Sequence, residues 1–476
     1  MNSSLLRRVI LILFFLLPYE TSRAQEIPSI TGNWTGTLSF NSIELKVVFK
    51  VSGQPGNYRA TMDSPDQGAF DIPVDTVIYD YPDVRFNVGA VAGFFGGQYN
   101  KENSIITGTW NQGGISLPLI LSFTDEEIKI NRPQEPQEPF PYKVEEVTFE
   151  NKTAGIKLAG TLTYPDAPGK FPAVVLVSGS GPQNRDEKLL GHKPFLVLAD
   201  YLTRNGIAVL RYDDRGVGQS NGNFSAATTE DFTLDAIAAV EFLKKQEFID
   251  TQKTGIIGHS EGGLVAPLAA VQSNNINFIV LLAGPGLRGD SILILQSELI
   301  YRANGVNEEE IQRELRLARR IYNVILNEED SAQTKSNLQN ILAEFYQSLD
   351  DSIKSKLGDK QQFIQMQTNQ LLSPWFRFFI GYDPYPTLTK VKCPLLAING
   401  ENDLQVPAVV NLKMIEKAMK EGGNENYSVI KLSGLNHLFQ KSETGSPNEY
   451  SKIEETFSSD AMKIIVEWIY KVTGTK

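Results

Sequence analysis

The chain has 476 residues, a formal net charge of −11, and a composition that is 41% hydrophobic and 21% charged. That length exceeds one ordinary domain and supplies apolar side chains for two or three cores, which excludes a disordered or low-complexity chain. The acidic balance without basic clusters excludes an electrostatic nucleic-acid binder. A single cysteine, Cys393, excludes a disulfide scaffold.

From the amino terminus, Val9 to Leu17 form a run of nine apolar residues behind Arg7 and Arg8. Ser22-Arg23-Ala24 follows, with small residues at the two positions a signal peptidase reads, so residues 1–24 are expected to be a cleaved signal peptide. Nine apolar residues fall short of the ~18 to 20 that span a bilayer, so no stable membrane anchor is expected. The mature chain is expected to be exported, in the periplasm or outside the cell. Loss of residues 1–24 removes three arginines and one glutamate and leaves a charge of about −13.

Residues 26–130 alternate on a period of two between turn residues, as in Trp34 to Phe40 and Ile43 to Phe49. Further strands are predicted near Tyr58–Met62, Val74–Tyr79, Val84–Val88, Gly93–Tyr99, Ile105–Trp110 and Leu117–Phe123. About eight short strands without a helix predict a small barrel or sandwich. The paired segments Gly32-Asn-Trp-Thr-Gly36 and Gly108-Thr-Trp-Asn-Gln112 resemble a lipocalin-like β-domain. Such a module either binds a ligand at its mouth or packs on its neighbour. Residues 131–142 follow, with four prolines among Asn131 to Pro141, and read as an extended, semi-rigid linker.

In residues 143–476 apolar strand runs alternate with helical stretches, the mark of an α/β chain with a mostly parallel sheet. Strands are predicted at Ala173–Val177, Ala208–Tyr212, Thr254–Gly258, Phe278–Ala283, Pro394–Asn399 and Ser428–Leu432. Helices are predicted at Leu196–Asn205, Phe232–Lys245, Leu264–Gln272 and Ala461–Val472. Residues of about 288–386 interrupt the sheet with helical periodicity: Ile311, Leu315, Ala318 and Tyr322 share one face, and Leu338, Ile341, Leu342 and Phe345 another. Cys393 opens a buried strand, where packing is its expected role.

Gly258-His259-Ser260-Glu261-Gly262 lies between a predicted strand and a predicted helix, the setting of a nucleophile elbow. So tight a turn leaves no room for side chains two residues either side of the serine, and Gly258, Gly262 and Gly263 meet that need. Ser260 is the expected nucleophile. Its hydroxyl needs a base of near-neutral pKa, and the chain has three histidines. His259 adjoins the nucleophile, so its ring is expected to point away from Ser260, into the surroundings of the sheet, and to serve structure. His192 precedes the serine, against the order Ser, acid, His that goes with such an elbow. His437 remains, in a loop after a predicted strand.

Asp403 ends the segment after the strand at 394–399 and is the expected orienting acid, with Glu401 the nearest competitor and Asp290 a remoter one. The oxyanion donors are expected to be the backbone N–H of Glu261 and that of Ser180, with Gly181 as alternate. The Ser178–Gly181 loop lacks the Gly-Lys-Ser/Thr ending of a phosphate-binding loop.

These motifs, together with Arg211-Tyr-Asp-Asp-Arg-Gly-Val-Gly-Gln-Ser220, Ser178-Gly-Ser-Gly-Pro-Gln-Asn-Arg-Asp186 and Gly400-Glu-Asn-Asp-Leu-Gln-Val-Pro407, resemble the α/β-hydrolase superfamily. Within it they look like bacterial esterases related to the serine aminopeptidase and prolyl-oligopeptidase-like groups. Ser178 stands where a histidine is frequent before the oxyanion glycine, which departs from the lipase pattern. The resemblance implies a serine hydrolase acting on carboxylic esters through an acyl-enzyme, with no metal and no cofactor. It leaves a peptidase as the alternative, and a ligand-binding protein with an accessory hydrolase scaffold as a different class. The substrate is accordingly expected to be a small-molecule ester or a short peptide.

The resemblance also implies that the helical insertion is a cap over the site. Trp375, Phe376, Phe378 and Phe379 near its end either line an acyl pocket or pack together. Arg185, Asp186, Arg211 and Asp214 are expected to form structural ion pairs.

Overall fold

The computed structural model describes residues 27–40, 43–65, 69–125, 131–328 and 330–475. The expected signal peptide at 1–24 lies outside them. Period-two alternation produces nine strands: β1 (Gly32–Phe40), β2 (Ile43–Gln54), β3 (Asn57–Ser64), β4 (Ala69–Val74), β5 (Thr76–Asp80), β6 (Asp83–Val88), β7 (Gly93–Asn100), β8 (Ile105–Gln112) and β9 (Ile115–Thr124). They form one antiparallel sheet in the order β4-β3-β2-β1-β9-β8-β7-β6-β5. The edge strands β4 and β5 are consecutive in the chain, so the sheet curls into a nearly closed barrel. The strand predicted over Val74–Tyr79 is in fact two, broken at Asp75, whose own N–H goes to Asn87 O and whose carboxylate takes the Gly89 N–H.

Inward positions of the barrel carry Trp34, Phe49, Phe86, Phe95 and Trp110, all buried, with Phe49 stacked on Phe86 at 4.5 Å between centroids. The Trp34 indole N–H donates to Ile30 O at 2.7 Å, so the one polar atom of that ring is satisfied. The interior is thus a packed core. Room remains at one end, a recess of about 350 Å³ among Leu38, Leu45, Trp110, Ile115 and Leu117.

The proline-rich segment departs from a free spacer. The Arg132 guanidinium donates to the carbonyls of Ser451 (2.9 Å), Ile453 (2.8 Å) and Gly191 (3.1 Å). Gln134 pairs with the backbone of Thr456 and Phe457, and Glu135 with Lys193 at 2.7 Å. Prolines hold the chain extended, and the polar side chains between them dock it on the second domain.

That domain begins with β10 (Tyr142–Asn151), β11 (Ile156–Pro165), β12 (Phe171–Val177), α1 (Pro194–Arg204), β13 (Ala208–Tyr212), α2 (Thr229–Leu243), β14 (Ile249–His259), α3 (Gly262–Gln272) and β15 (Phe278–Leu282). Then come the helices of the insertion: α4 (Gly289–Ala303), α5 (Glu308–Asn327), α6 (Ser331–Ser348), α7 (Asp351–Leu357), α8 (Lys360–Leu371), α9 (Pro374–Gly381) and α10 (Tyr385–Leu388). The chain ends through β16 (Leu395–Gly400), α11 (Ala408–Glu421), β17 (Tyr427–Leu432) and α12 (Ser459–Thr473).

The sheet order is β10-β11-β13-β12-β14-β15-β16-β17, antiparallel from β10 to β13 and parallel from there to β17. One face packs against α2, α3 and α11, the other against α1 and α12, giving the doubly covered sheet of an α/β-hydrolase fold. The central strands are buried on both faces, which is why they read as unbroken apolar runs. No helix among the described residues is long and apolar enough to cross a membrane.

Candidate active site

The carboxyl ends of the parallel strands carry the chemistry. Strand β14 runs into Ser260, which adopts φ 52°, a left-handed conformation that costs a non-glycine residue energy. It is held there by its N–H donating to Leu282 O at 2.8 Å and by glycines on every side. A Cβ on Gly258 would strike the carbonyl of Gly262, one on Gly262 the carbonyl of Val177, and one on Gly263 the backbone of Gly284. The turn therefore tolerates only hydrogen at these positions, as its sequence implies.

After β16, Asp403 is 2% exposed. Its Oδ1 accepts the backbone N–H groups of Gln405 and Val406, both at 2.8 Å, which leaves Oδ2 for the His437 Nδ1, also at 2.8 Å. After β17, the His437 loop is fixed by Asn436, whose Oδ1 accepts from Leu438 N and Gln440 N at 3.0 Å. His437 and Ser260 line the same cavity. No hydrogen bond among the described residues joins Ser260 Oγ to the ring. Glu401 is exposed and engaged by Lys431 and Ser433 at 2.6 Å, and Asp290 pairs with Arg288, so neither meets His437.

The cavity measures about 230 Å³. Its floor is Ser260, Glu261, His437 and the 179–183 loop, and its apolar wall is Ile292, Leu293, Trp375, Phe379, Val406 and Leu438. Ser180 lines it and Gly181 does not. No hydrogen bond among the described residues uses the N–H of Ser180 or of Glu261, whereas that of Gly179 is taken by Glu187 Oε1 at 2.7 Å. Helices α4 and α9 of the insertion supply four of these six wall residues.

Four expectations need correction. Phe376 does not face the cavity; its ring lies 6.0 Å from that of Tyr322 and 6.2 Å from that of Trp375, packed among the apolar side chains inside the insertion. Phe378 stacks on Tyr382 instead. His259 does not turn into the sheet: its Nδ1 meets Glu187 Oε1 at 2.8 Å, its Nε2 meets the His437 carbonyl at 3.0 Å, and its ring lies 4.8 Å from that of His437. Burial pulls its pKa down, but the Glu187 carboxylate outweighs that and the net shift is upward.

Asp214, expected in an ion pair, binds Ser178 Oγ at 3.1 Å and Gln183 N at 2.9 Å, so it shapes the 178–183 loop. Burial raises its pKa to about 8 against those hydrogen bonds. Arg185 with Asp213 (2.8 Å) and Arg211 with Asp186 are ion pairs as expected. His192 is enclosed by Thr456, Tyr450 and Gln440 and does not line the cavity.

Two side chains of the site carry no motif. Glu187 follows the Arg185-Asp186 pair and reads as one more surface charge, yet it is 3% exposed. The Glu261 side chain is buried beside Ser260, where its carboxylate accepts from Thr229 Oγ1 (2.7 Å) and from the Trp375 indole N–H (2.9 Å). Burial raises its pKa despite these donors.

Among proteins of known sequence, the chain is 29% identical over 317 residues to esterase EstD of Thermotoga maritima. That match covers 66% of each chain, so the protein spans 66% of the length of this relative. It is 24% identical over 331 residues to an uncharacterized 31.7 kDa protein from the traX-finO intergenic region of Escherichia coli, covering 68% of this chain and 99% of that one. Among solved structures, an esterase of Pyrococcus furiosus aligns over 73% of this chain and 98% of its own, at 16% identity and a TM-score of 0.42. Est1E of Butyrivibrio proteoclasticus with ferulic acid bound aligns over 69% and 97%, at 18% identity and a TM-score of 0.39. Residues 193–440, just over half of the chain and the span that includes Ser260, Asp403 and His437, match the serine aminopeptidase, S33, family, and the protein belongs to that family.

Proposed function

We propose that the protein is a serine hydrolase that cleaves carboxylic esters of short acyl groups through an acyl-enzyme. Ser260 Oγ attacks the ester carbonyl while His437 Nε2 takes its proton. Asp403 holds the ring in the tautomer with hydrogen on Nδ1 and stabilises the imidazolium that forms. The oxyanion is received by the N–H groups of Ser180 and Glu261, each contributing ~3 kcal/mol to the transition state. His437 then protonates the leaving alcohol, and water repeats the sequence to free the acid and restore the serine.

The observation that carries this reading is the Asp403–His437 hydrogen bond at 2.8 Å, with His437 and Ser260 together on the cavity floor. Esters are favoured over aminoacyl peptides because the cavity offers no free anion for a substrate ammonium. Its only acidic lining residues among the described ones, Glu187 and Glu261, are already engaged by internal donors. The Thermotoga maritima relative, named as an esterase, agrees with that preference. The amino-terminal sequence further suggests action outside the cytoplasm.

A fluorophosphonate is expected to form its adduct on Ser260, and Ser260→Ala to lose both the adduct and turnover of short acyl esters. Unchanged ester turnover in Ser260→Ala overturns the reading. Comparable rates on aminoacyl amides overturn the ester preference alone.

A further inference from the structure

Both ring nitrogens of His259 face oxygens: Nδ1 the Glu187 carboxylate at 2.8 Å, Nε2 the His437 carbonyl at 3.0 Å. A carbonyl oxygen only accepts, so Nε2 carries hydrogen. The carboxylate also accepts, so Nδ1 carries hydrogen too, and a ring with both is an imidazolium. Glu187 and His259 are 3% and 6% exposed, so the pair is shielded from solvent. The same Glu187 Oε1 accepts the Gly179 N–H at 2.7 Å, and Gly179 lies so close to the nucleophile that a Cβ there would sit 3.1 Å from Ser260 Cβ.

One carboxylate thus joins three parts of the site that are distant in sequence. It holds the loop from Gly179 onward, it holds the residue before the nucleophile, and through His259 it holds the main chain of His437. From this geometry we infer that Glu187 and His259 are positioning residues, a buried carboxylate–imidazolium clamp that fixes the oxyanion loop and the His437 loop against Ser260.

The clamp touches no reacting atom. It acts through Gly179 and the His437 backbone, and its function is alignment, for which displacements of a fraction of an ångström suffice. The pair is net neutral, so the imidazolium beside the His437 ring does not oppose the positive charge that ring acquires in the reaction. The other ionisable groups around it are Asp403, His437 and Asp214. Glu187→Gln preserves the shape but removes the counter-charge. His259 then becomes neutral, and either one of its two bonds loses its hydrogen or the amide turns its NH2 to Nδ1 and the Gly179 N–H loses its acceptor.

This inference rests on Ser260 being the nucleophile, so the test reads that step directly. The rate of fluorophosphonate labelling and kcat per titrated site are measured in the full chain and in Glu187→Gln, His259→Gln and the double variant. Labelling and kcat are expected to fall by ~10- to 100-fold in each single variant, with KM within about twofold, because alignment and not ground-state binding is lost. The double variant is expected to be no slower than the worse single one, since the two residues act as a unit.

Histidine-selective ¹⁵N spectra of the unmodified protein at neutral pH are expected to contain one doubly protonated ring, absent from His259→Gln. Folded Glu187→Gln or His259→Gln protein that labels at the unmodified rate overturns the clamp, even if its melting temperature is lower. So does a neutral His259 ring. If Glu187→Gln does not fold, His259→Gln carries the same test. Failure of the unmodified protein to label instead removes the nucleophile assignment.

Discussion

The two domains solve burial in opposite ways. The barrel interior is aromatic and apolar, and the polar atom it encloses on Trp34 is satisfied four residues away, at Ile30. The carboxyl edge of the parallel sheet encloses Asp403, His437, His259, Glu187, Glu261 and Asp214, none more than 9% exposed. Buried ionisable groups cost desolvation energy unless paired, and here each one is paired or hydrogen-bonded. The contrast teaches where the chain accepts that cost: repeatedly in the second domain, with six such groups gathered at the cavity, and in the barrel at Asp63, which is 4% exposed and paired with Lys50 at 3.0 Å. A sequence tuned only for stability would carry neither Ser260 in a left-handed conformation nor six ionisable side chains around it.

The contrast breaks or sharpens under four substitutions. The largest effect is expected from Asp403→Asn, which preserves volume but lets the His437 ring adopt the wrong tautomer; ester kcat should fall by roughly 10³- to 10⁴-fold with the melting temperature little changed. A fall below tenfold would mean that another group orients His437.

Next is Phe86→Ala, which opens a cavity against Phe49 and Phe95 and should cost the barrel about 3 to 5 kcal/mol in urea unfolding. Turnover per titrated site is expected to stay as it was. If turnover drops with the barrel still folded, the two regions are not separable.

His192 gives a smaller effect with a defined sign. Burial, then the charge of Arg132, lower its pKa from 6.5 to about 4, so between those values the unfolded chain binds more protons than the folded one. Stability should therefore fall as pH drops from 6.5 to 4, by up to about 3 kcal/mol from this group. Urea midpoints across that range are expected to slope less in His192→Gln; equal slopes would mean that the ring is not held neutral.

The smallest effect is expected from Trp375→Phe, which keeps the apolar wall but deletes the N–H bonded to Glu261. KM for short acyl esters should rise by about threefold to tenfold, with kcat within about twofold. A change confined to kcat would instead assign Glu261 and Trp375 to the chemistry.

Much of this architecture is legible in single segments. Strands β12 to β16 are predicted within a few residues because burial on both faces makes them apolar throughout, although β14 begins at Ile249 and not at Thr254. The hairpin β10–β11 escapes notice because its first strand is largely exposed, with Glu145 and Glu146 breaking any apolar period. Strand β4 escapes because its residues alternate only between exposed and half-buried. Helix α11 escapes as well: Leu412, Ile415 and Met419 mark one face, but Asn411, Ala408 and Ala418 make up the rest of what it buries and dilute the apolar period.

By itself the sequence determined the glycine-lined turn at Ser260 and the change from an all-β to an α/β half. Each of these rests on local sterics or periodicity, which a short window of residues expresses in full. Only the tertiary structure decided that Phe376 turns away from the cavity, that the proline-rich segment is docked, and that Glu187, His259 and the side chain of Glu261 belong to the site. Their contacts join residues 72 and 114 positions apart, as in Glu187 with His259 and Glu261 with Trp375. A hydrogen bond of that span leaves no trace in the composition around either partner. It exists only once the sheet has brought the loops at its carboxyl edge together.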